Sequence, residues 1–336
     1  MADQSSKKRA NLRDVAAAAE VSVATVSRVL NSPKTVSEKT RLRVQEAIDT
    51  LHFVPSAAAR AINSGRTRIA GALVPTLDNA IFAKFLAALE SGFGEKGLSL
   101  VVATTNGDPD VEAKEAQGLV DIGAEALIVS GITHSSGFDD LIARTRLPVI
   151  ATSFYDPSYR LPTIGYDNAA ASTMALQFLL STGHKKISVV HGPTQNNDRT
   201  RARLSGLNIP HNKVVIQKIE TEVTLKGGSV AAKELLESNS QCTAILCLSD
   251  VLALGVLFEL QRQKVRVPED LSLMGIDDLP SSSFTVPEIT TVHLPVTRMG
   301  ERTAEAAVQW IENQVIPKSQ LIEASLIIRR STQQIA

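Results

Sequence analysis

Residues 12–31, Leu-Arg-Asp-Val-Ala-Ala-Ala-Ala-Glu-Val-Ser-Val-Ala-Thr-Val-Ser-Arg-Val-Leu-Asn, constrain this chain most. Val15, Ala16 and Ala19 recur at helical spacing. Val21 follows in a turn, and Val26, Val29 and Leu30 recur at helical spacing again. Two short helices joined by a tight turn bury these positions against each other. The residues left over are Val23, Ala24, Thr25, Ser27 and Arg28, which are small, hydroxylated or basic. The pattern is that of a helix-turn-helix, whose second helix lies in the major groove of DNA. Ser22 is placed to cap that helix. The free N–H groups and positive dipole of the same terminus suit a phosphate. Thr25 and Ser27 can donate to phosphate oxygens. Arg28 can reach a guanine edge through two donors, worth about 1–3 kcal/mol of base discrimination. Val23 and Ala24 offer apolar contact to a thymine methyl. A plain helical hairpin satisfies the same spacing, so the surrounding charge must separate the two readings.

It does. The chain is neutral, with 35 Lys+Arg and 35 Asp+Glu, but residues 1–68 hold 12 of the former and 6 of the latter. The remaining 268 residues hold 23 and 29. A basic end on an acidic body points to a polyanion at that end. About six phosphate contacts would make its affinity fall steeply with salt.

The head is similar to that of the LacI/GalR family of bacterial repressors. The matching residues are Leu12-Arg13-Asp14-Val15-Ala16, Val21 to Asn31, Val36-Ser37-Glu38-Lys39-Thr40-Arg41 and Phe53-Val54-Pro55. The resemblance runs to about residue 332. It implies a sequence-specific DNA-binding regulator, a repressor, working as a homodimer on a pseudo-palindromic operator under control of a small metabolite. It also implies that Val23, Ala24 and Arg28 read bases, with Ser22, Thr25, Ser27 and Asn31 also at the DNA. The family usually has Gly where Glu20 stands, a position that favours a left-handed backbone. A third helix is expected from about 37 to 51, with Leu42, Ala47, Ile48 and Leu51 on its apolar face. After Pro55, residues 56–63 can form one or two helical turns, which are marginal in isolation. The resemblance makes this a hinge that folds over the minor groove, with Ala59 and Ile62 at the DNA. Ile62 is the wedge where the family usually has Leu.

From Arg68 onward the chain alternates apolar strand-length runs with helical patterns. Strands are expected near 69–74, 98–103, 126–130, 148–151, 187–190, 214–219, 244–248 and 272–276. Helices are expected near 82–96, 111–122, 139–144, 169–181, 228–238 and 251–263. Strands buried on both faces alternating with helices mean doubly wound parallel sheets. The length and the repeated beat mean two α/β subdomains with a cleft between them. The fold expected is a helix-turn-helix headpiece (1–53), a hinge (54–67), and a two-subdomain, periplasmic-binding-protein-like body (68–332). The N-subdomain takes about 68–165 and 295–318, and the C-subdomain about 166–292 and 319–332.

Ligands in such sheets sit beyond the carboxyl ends of the strands. Candidate effector contacts there are Thr76, Asn79, Phe82, Ser130, Ser153, Tyr155, Ser249 and Asp277, with an arginine cluster of Arg199, Arg201 and Arg203. Hydroxyls, arginines and carboxylates with few aromatics suit a sugar or sugar acid. By resemblance Arg203 is the effector arginine and Asp277 the family's acidic contact. Ser153 stands where an acidic sugar-hydroxyl acceptor can occur, which shifts the expectation toward an anionic or less polar ligand. Asn208-Ile209-Pro210 follows Gly206 almost at once, where the family continues its helix. Either the helix is shortened or the arginine register differs, which leaves open which of the three arginines meets the ligand.

Cys242 and Cys247 lack metal spacing and read as free thiols in a reducing cytoplasm. The polar, basic start of the chain lacks an apolar run, so no secretory signal is expected there. No apolar stretch approaches the length of a membrane span. These features imply a cytoplasmic, nucleoid-associated protein. No Gly-x-Gly-x-x-Gly follows the first strand and no catalytic pairing is identifiable, so neither cofactor, metal nor enzyme activity is expected. A periplasmic-type solute-binding protein would explain only the body. An α/β enzyme with an appended DNA-binding domain would need a catalytic constellation. The final segment has no heptad tail, so a dimer is expected rather than a tail-tethered tetramer.

Overall fold

The structure, a computed structural model, describes residues 10–54, 65–208, 214–238 and 241–335. Two compact units divide at Arg68 and Ile69.

The first unit holds α1 (Leu12–Ala18), α2 (Val23–Asn31) and α3 (Glu38–Thr50). Local chemistry sets each start. The Asn11 side chain accepts from the backbone N–H groups of Arg13 and Asp14, and the Asp14 carboxylate accepts from Asn11 N–H in return. Ser22 Oγ accepts from Thr25 N–H at 3.1 Å, and Ser37 Oγ accepts from Thr40 N–H at 3.4 Å. The core gathers Val15, Ala16, Ala19, Val26, Val29, Val44, Ala47, Ile48 and Phe53. Leu42, expected on the apolar face of α3, is 62% exposed, and Val44 takes the buried place. The spacing explains this: Val44 stands three and four residues before Ala47 and Ile48, whereas Leu42 is turned off that stripe.

The second unit is built on two six-stranded sheets. Its first lobe contains β1 (Ile69–Val74), α4 (Ala80–Gly94), β2 (Ser99–Thr104), α5 (Pro109–Asp121), β3 (Ala126–Ser130), α6 (Ser136–Thr145), β4 (Val149–Thr152) and β5 (Thr163–Gly165). The chain then enters the second lobe with α7 (Asn168–Ser181), β6 (Lys186–His191), α8 (Asp198–Ser205), β7 (Val215–Glu220) and α9 (Leu225–Glu237). β8 (Ala244–Cys247), α10 (Asp250–Arg262), β9 (Ser272–Asp277) and β10 (Thr290–His293) complete its run. It returns as α11 (Val296–Asn313), which packs on α4, and as β11 (Gln320–Leu321), before crossing back as β12 (Ser325–Ile327). The sheet orders are β11-β5-β4-β3-β1-β2 and β12-β10-β9-β8-β6-β7. Among the described residues, pairing is parallel except between β10 and β12. β1 lies between β2 and β3, and β6 between β7 and β8, so each sheet has a crevice where its winding reverses.

One boundary differs from expectation. The sequence places residues 319–332 in the second lobe, yet Gln320 and Leu321 pair with Ile164 and Gly165 in the first sheet. The short strand β5 pairs with β4 on one side and recruits them on the other: Thr163 N–H donates to Ser319 Oγ at 3.0 Å, and Ile322 N–H donates to Gly165 O at 2.7 Å.

Glu20 sits at φ 52, the left-handed conformation anticipated for the turn between α1 and α2. A side chain there costs roughly 1 kcal/mol relative to glycine. Glu20→Gly is therefore expected to raise the melting temperature of the first unit. Calorimetry of the full chain checks this, and a lower midpoint contradicts it.

Candidate functional site

The exposed face of the first unit is the first candidate. Ser22, Val23, Ala24 and Arg28 are exposed, Thr25 and Ser27 are half-buried, and Asn31 closes α2. Ser22 Oγ and Thr25 Oγ1 lie 2.9 Å apart. The Ser22 hydroxyl that caps the helix, with the Thr25 hydroxyl beside it, therefore stands at the end expected to meet phosphate. Ala59 and Ile62 lie outside the described residues.

The second candidate lies between the lobes of the second unit. A cavity of about 170 Å³ is bounded by the carboxyl ends of strands from both sheets. Seven of the nine expected effector contacts line it: Thr76, Asn79, Phe82, Ser153, Arg203, Ser249 and Asp277. Ser130 and Tyr155 do not. Ser130 ends β3 with its hydroxyl buried, and Tyr155 lies half-buried in the loop after β4. Being near a strand end did not suffice to bring these two side chains to the cavity. α8 ends at Ser205, so the shortened-helix reading of this segment is the one observed. It sorts the arginines. Arg199 and Arg203, four residues apart, line the cavity. Arg201 instead donates to Thr194 O at 2.7 Å and Thr133 Oγ1 at 2.9 Å.

Arg203 organises the polar wall. Its Nε donates to Asn168 Oδ1 at 3.0 Å, and its Nη1 donates to Leu248 O at 2.5 Å and lies 3.5 Å from Asp277 Oδ1. Asn168 Nδ2 donates in turn to Ser153 O at 3.0 Å. The other oxygen of Asp277 accepts from Ser249 Oγ at 2.9 Å and Asp250 N–H at 3.3 Å. Asp250 is itself satisfied: its carboxylate accepts from Leu279 N–H, Ser282 Oγ and Thr291 Oγ1. Burial pushes the Asp277 carboxyl up to about 7, against the opposing pull of Arg203. Ser153 at φ 63 and Asp277 at φ 130 hold positive backbone angles at the cavity wall. Such conformations concentrate where surrounding contacts over-determine them.

The opposite wall is apolar, formed by Ile81, Phe82, Phe85, Val296 and Met299. Met299 and Tyr166 also line the cavity and were not anticipated, nor was the supporting role of Asn168. Asn168 and Tyr166 follow β5, whose three residues carry no readable periodicity. Met299 lies on α11, whose helical stripe of Val296, Met299, Gly300, Thr303 and Ala307 was readable in principle.

Residues 11–56 match the model of bacterial regulatory proteins of the lacI family, and residues 176–332 match that of a periplasmic binding protein-like domain. The HTH-type transcriptional repressor PurR of Salmonella newport is 30% identical across 96% of both chains. The chain belongs to the LacI family. The HTH-type transcriptional regulator reg1 of Streptomyces lividans is 32% identical, again across 96% of both chains. In fold, this LacI-family chain is similar to the lac repressor dimer bound to operator and the anti-inducer ONPF. That likeness has a TM-score of 0.86 and 24% identity, covering 97% of this chain and 100% of that one.

Two outcomes follow from the Arg203–Asp277 wall. Arg203→Ala leaves Asn168, Leu248 O and a buried carboxyl without their donor, so a loss of about 3 kcal/mol of stability is expected in denaturant titration. Asp277 also imposes a pH dependence. Its carboxyl is neutral in both states below about pH 4. As pH rises toward 7 the unfolded chain ionises while the folded one, with its value near 7, keeps the proton. Stability therefore falls across that window and levels off above it. Asp277→Asn is expected to flatten this part of the melting-temperature profile. A profile parallel to that of the unaltered protein contradicts it.

Proposed function

We propose that this chain is a dimeric operator-binding repressor whose hold on DNA is set by a small polar metabolite in the cavity between its lobes. The observation that carries the reading is the pairing, in one LacI-family chain, of the exposed α2 face with a polar-walled cavity at the strand ends. On α2, Val23, Ala24 and Arg28 are the base readers, and Ser22, Thr25, Ser27 and Asn31 position the helix on the duplex. Ala59 and Ile62 belong to the segment that would follow the minor groove. In the cavity, Thr76, Asn79, Phe82, Ser153, Arg203, Ser249 and Asp277 are the effector contacts. The volume of about 170 Å³ falls below the roughly 300–1,000 Å³ of pockets for drug-sized ligands. It therefore suits a compact metabolite such as a single sugar or sugar acid.

The lac repressor neighbour is described as a dimer on operator. This chain has a surface fit for the same arrangement. Leu225, Phe258, Phe284 and Val286 rim a groove of about 570 Å³, with Phe284 at 86% and Val286 at 82% exposure. We assign this face to a second copy. Regulation rather than catalysis is supported by the relatives, a transcriptional repressor and a transcriptional regulator. No helix among the described residues is long and apolar enough to cross a membrane. The operator gives the protein its place on the chromosome, in the cytoplasm.

The head and body are tested separately. Arg28→Ala is expected to cost about 1–3 kcal/mol of operator affinity, with relaxed preference at one base position, in gel shifts over a randomised palindrome. Equal loss on every sequence would reduce Arg28 to a phosphate contact. The effector should alter operator affinity by about 5–150-fold. Phe284→Asp should shift the mass in light scattering from dimer to monomer.

A further inference from the structure

Arg199 belongs to two structures at once. It lines the cavity, and its Nη1 lies 3.2 Å from Asp198 Oδ1. The other oxygen of Asp198 accepts a 2.5 Å hydrogen bond from the backbone N–H of Ile132, in the loop after β3 of the opposite lobe. Arg201 Nη2 donates to Thr133 Oγ1 in the same loop at 2.9 Å. The fit is close: a Cβ on Gly131 would stand 2.2 Å from Arg199 Nη1 and 2.6 Å from Asp198 Oδ2. The first turn of α8 thus clasps residues 131–133 across the cleft while one of its side chains faces the ligand space.

Among the side chains that line the cavity, cations outnumber carboxyls. Two guanidinium groups, Arg199 and Arg203, face one carboxyl, Asp277. Arg203 is engaged by Asn168, Leu248 O and Asp277. Arg199, 16% exposed along its side chain, has Asp198 as its ion-pair partner among the described residues. A guanidinium carries five N–H donors in a planar fork. One carboxylate oxygen at 3.2 Å leaves most of that fork to the ligand. Carboxylates and phosphates match its geometry with two parallel hydrogen bonds, which a neutral polyol cannot reproduce with charge.

We propose that the effector carries a carboxylate or phosphate that docks on Arg199, and that Asp198 competes with it for the guanidinium, so that binding is felt at the Ile132–Asp198 clasp. This rests on reading the cavity as the effector site. Asp198 is then a positioning residue, acting on the ligand through Arg199 and on the opposite lobe through Ile132.

The test uses the full chain and three probes at matched ionic strength: inorganic phosphate, gluconate and glucose. Melting temperature and calorimetric titration are the readouts. An acid-specific response is expected, and phosphate against gluconate separates the two anion types. Arg199→Ala should weaken acid binding at least tenfold, with Arg199→Lys in between. Asp198→Asn should strengthen acid binding, because the competing charge is gone, and should speed hydrogen exchange at the Ile132 amide. Saturating acid should change that exchange rate in the unaltered protein and leave it unchanged in Arg199→Ala. Glucose binding as well as gluconate overturns the proposal. So does the absence of any acid-specific response, or an Arg199→Ala chain that binds acid normally. If the acids bind as expected but operator affinity does not move, the anion site stands and the control role of the cavity falls.

Discussion

The guanidinium of Arg203 is buried, and a buried cation without partners costs several kcal/mol. Its acceptors therefore have little freedom. Asn168 must present Oδ1 to Nε, which turns its amide nitrogen onto Ser153 O at the end of β4. Leu248 O, just past β8, must face Nη1, and Asp277, ending β9, must lie alongside. Ser172 Oγ donates to the Arg203 carbonyl at 2.6 Å and fixes the helix that carries it. Ends of strands from both lobes are thus placed by the need to satisfy one side chain, and the cavity is the space they leave.

That placement has a local cost. Ser153, Asp277 and Asp278 all hold positive φ, at 63, 130 and 57°. Strained backbones of this kind cost on the order of 1–3 kcal/mol each. The offset comes from groups beneath them. Ser153 N–H meets Met299 Sδ at 3.3 Å. The Asp278 carboxylate is held by Arg329 at 2.6 Å and His293 at 2.9 Å. Asp250 takes three donors around the following turn, and Gly275 makes room for it, since a Cβ there would stand 2.0 Å from Asp250 Oδ1. The carboxylates behind the cavity thus stabilise the backbone shape of its wall.

How much of this was legible in the sequence followed from element length. Central strands such as 126–130 and 244–247 are buried on both faces and announce themselves as apolar runs. β5 and β11 are three and two residues long, and they pair with each other across a long stretch of sequence. The residues that follow β5, Tyr166 and Asn168, were missed for that reason. The arginines show the opposite case. Once 198–205 is a helix, positions 199 and 203 share a face and 201 lies on another. With the helix bounds left open at Gly206, the sequence kept all three arginines as candidates, although the periodicity contains the distinction. Leu42 shows the limit of apolarity alone: in a small three-helix head the stripe through Val44 fills the core, and a leucine two residues earlier stays outside.

The same energetics say where a switch can lie in such a body. Coupling between ligand and DNA is typically about 1–3 kcal/mol. Breaking the Arg203 network would cost more than that, because it strands a buried cation and several acceptors together. A switch of the required size must work through fewer and more peripheral bonds. A charge-assisted hydrogen bond is worth about 1.5–3 kcal/mol, which is the range needed. The Asp198–Ile132 contact is of that kind, and it joins the lobes directly beside a cavity-lining arginine. The division of labour then follows from magnitude: the interior network keeps the cavity in shape in every state, and the clasp at its edge is weak enough to be exchanged for a ligand.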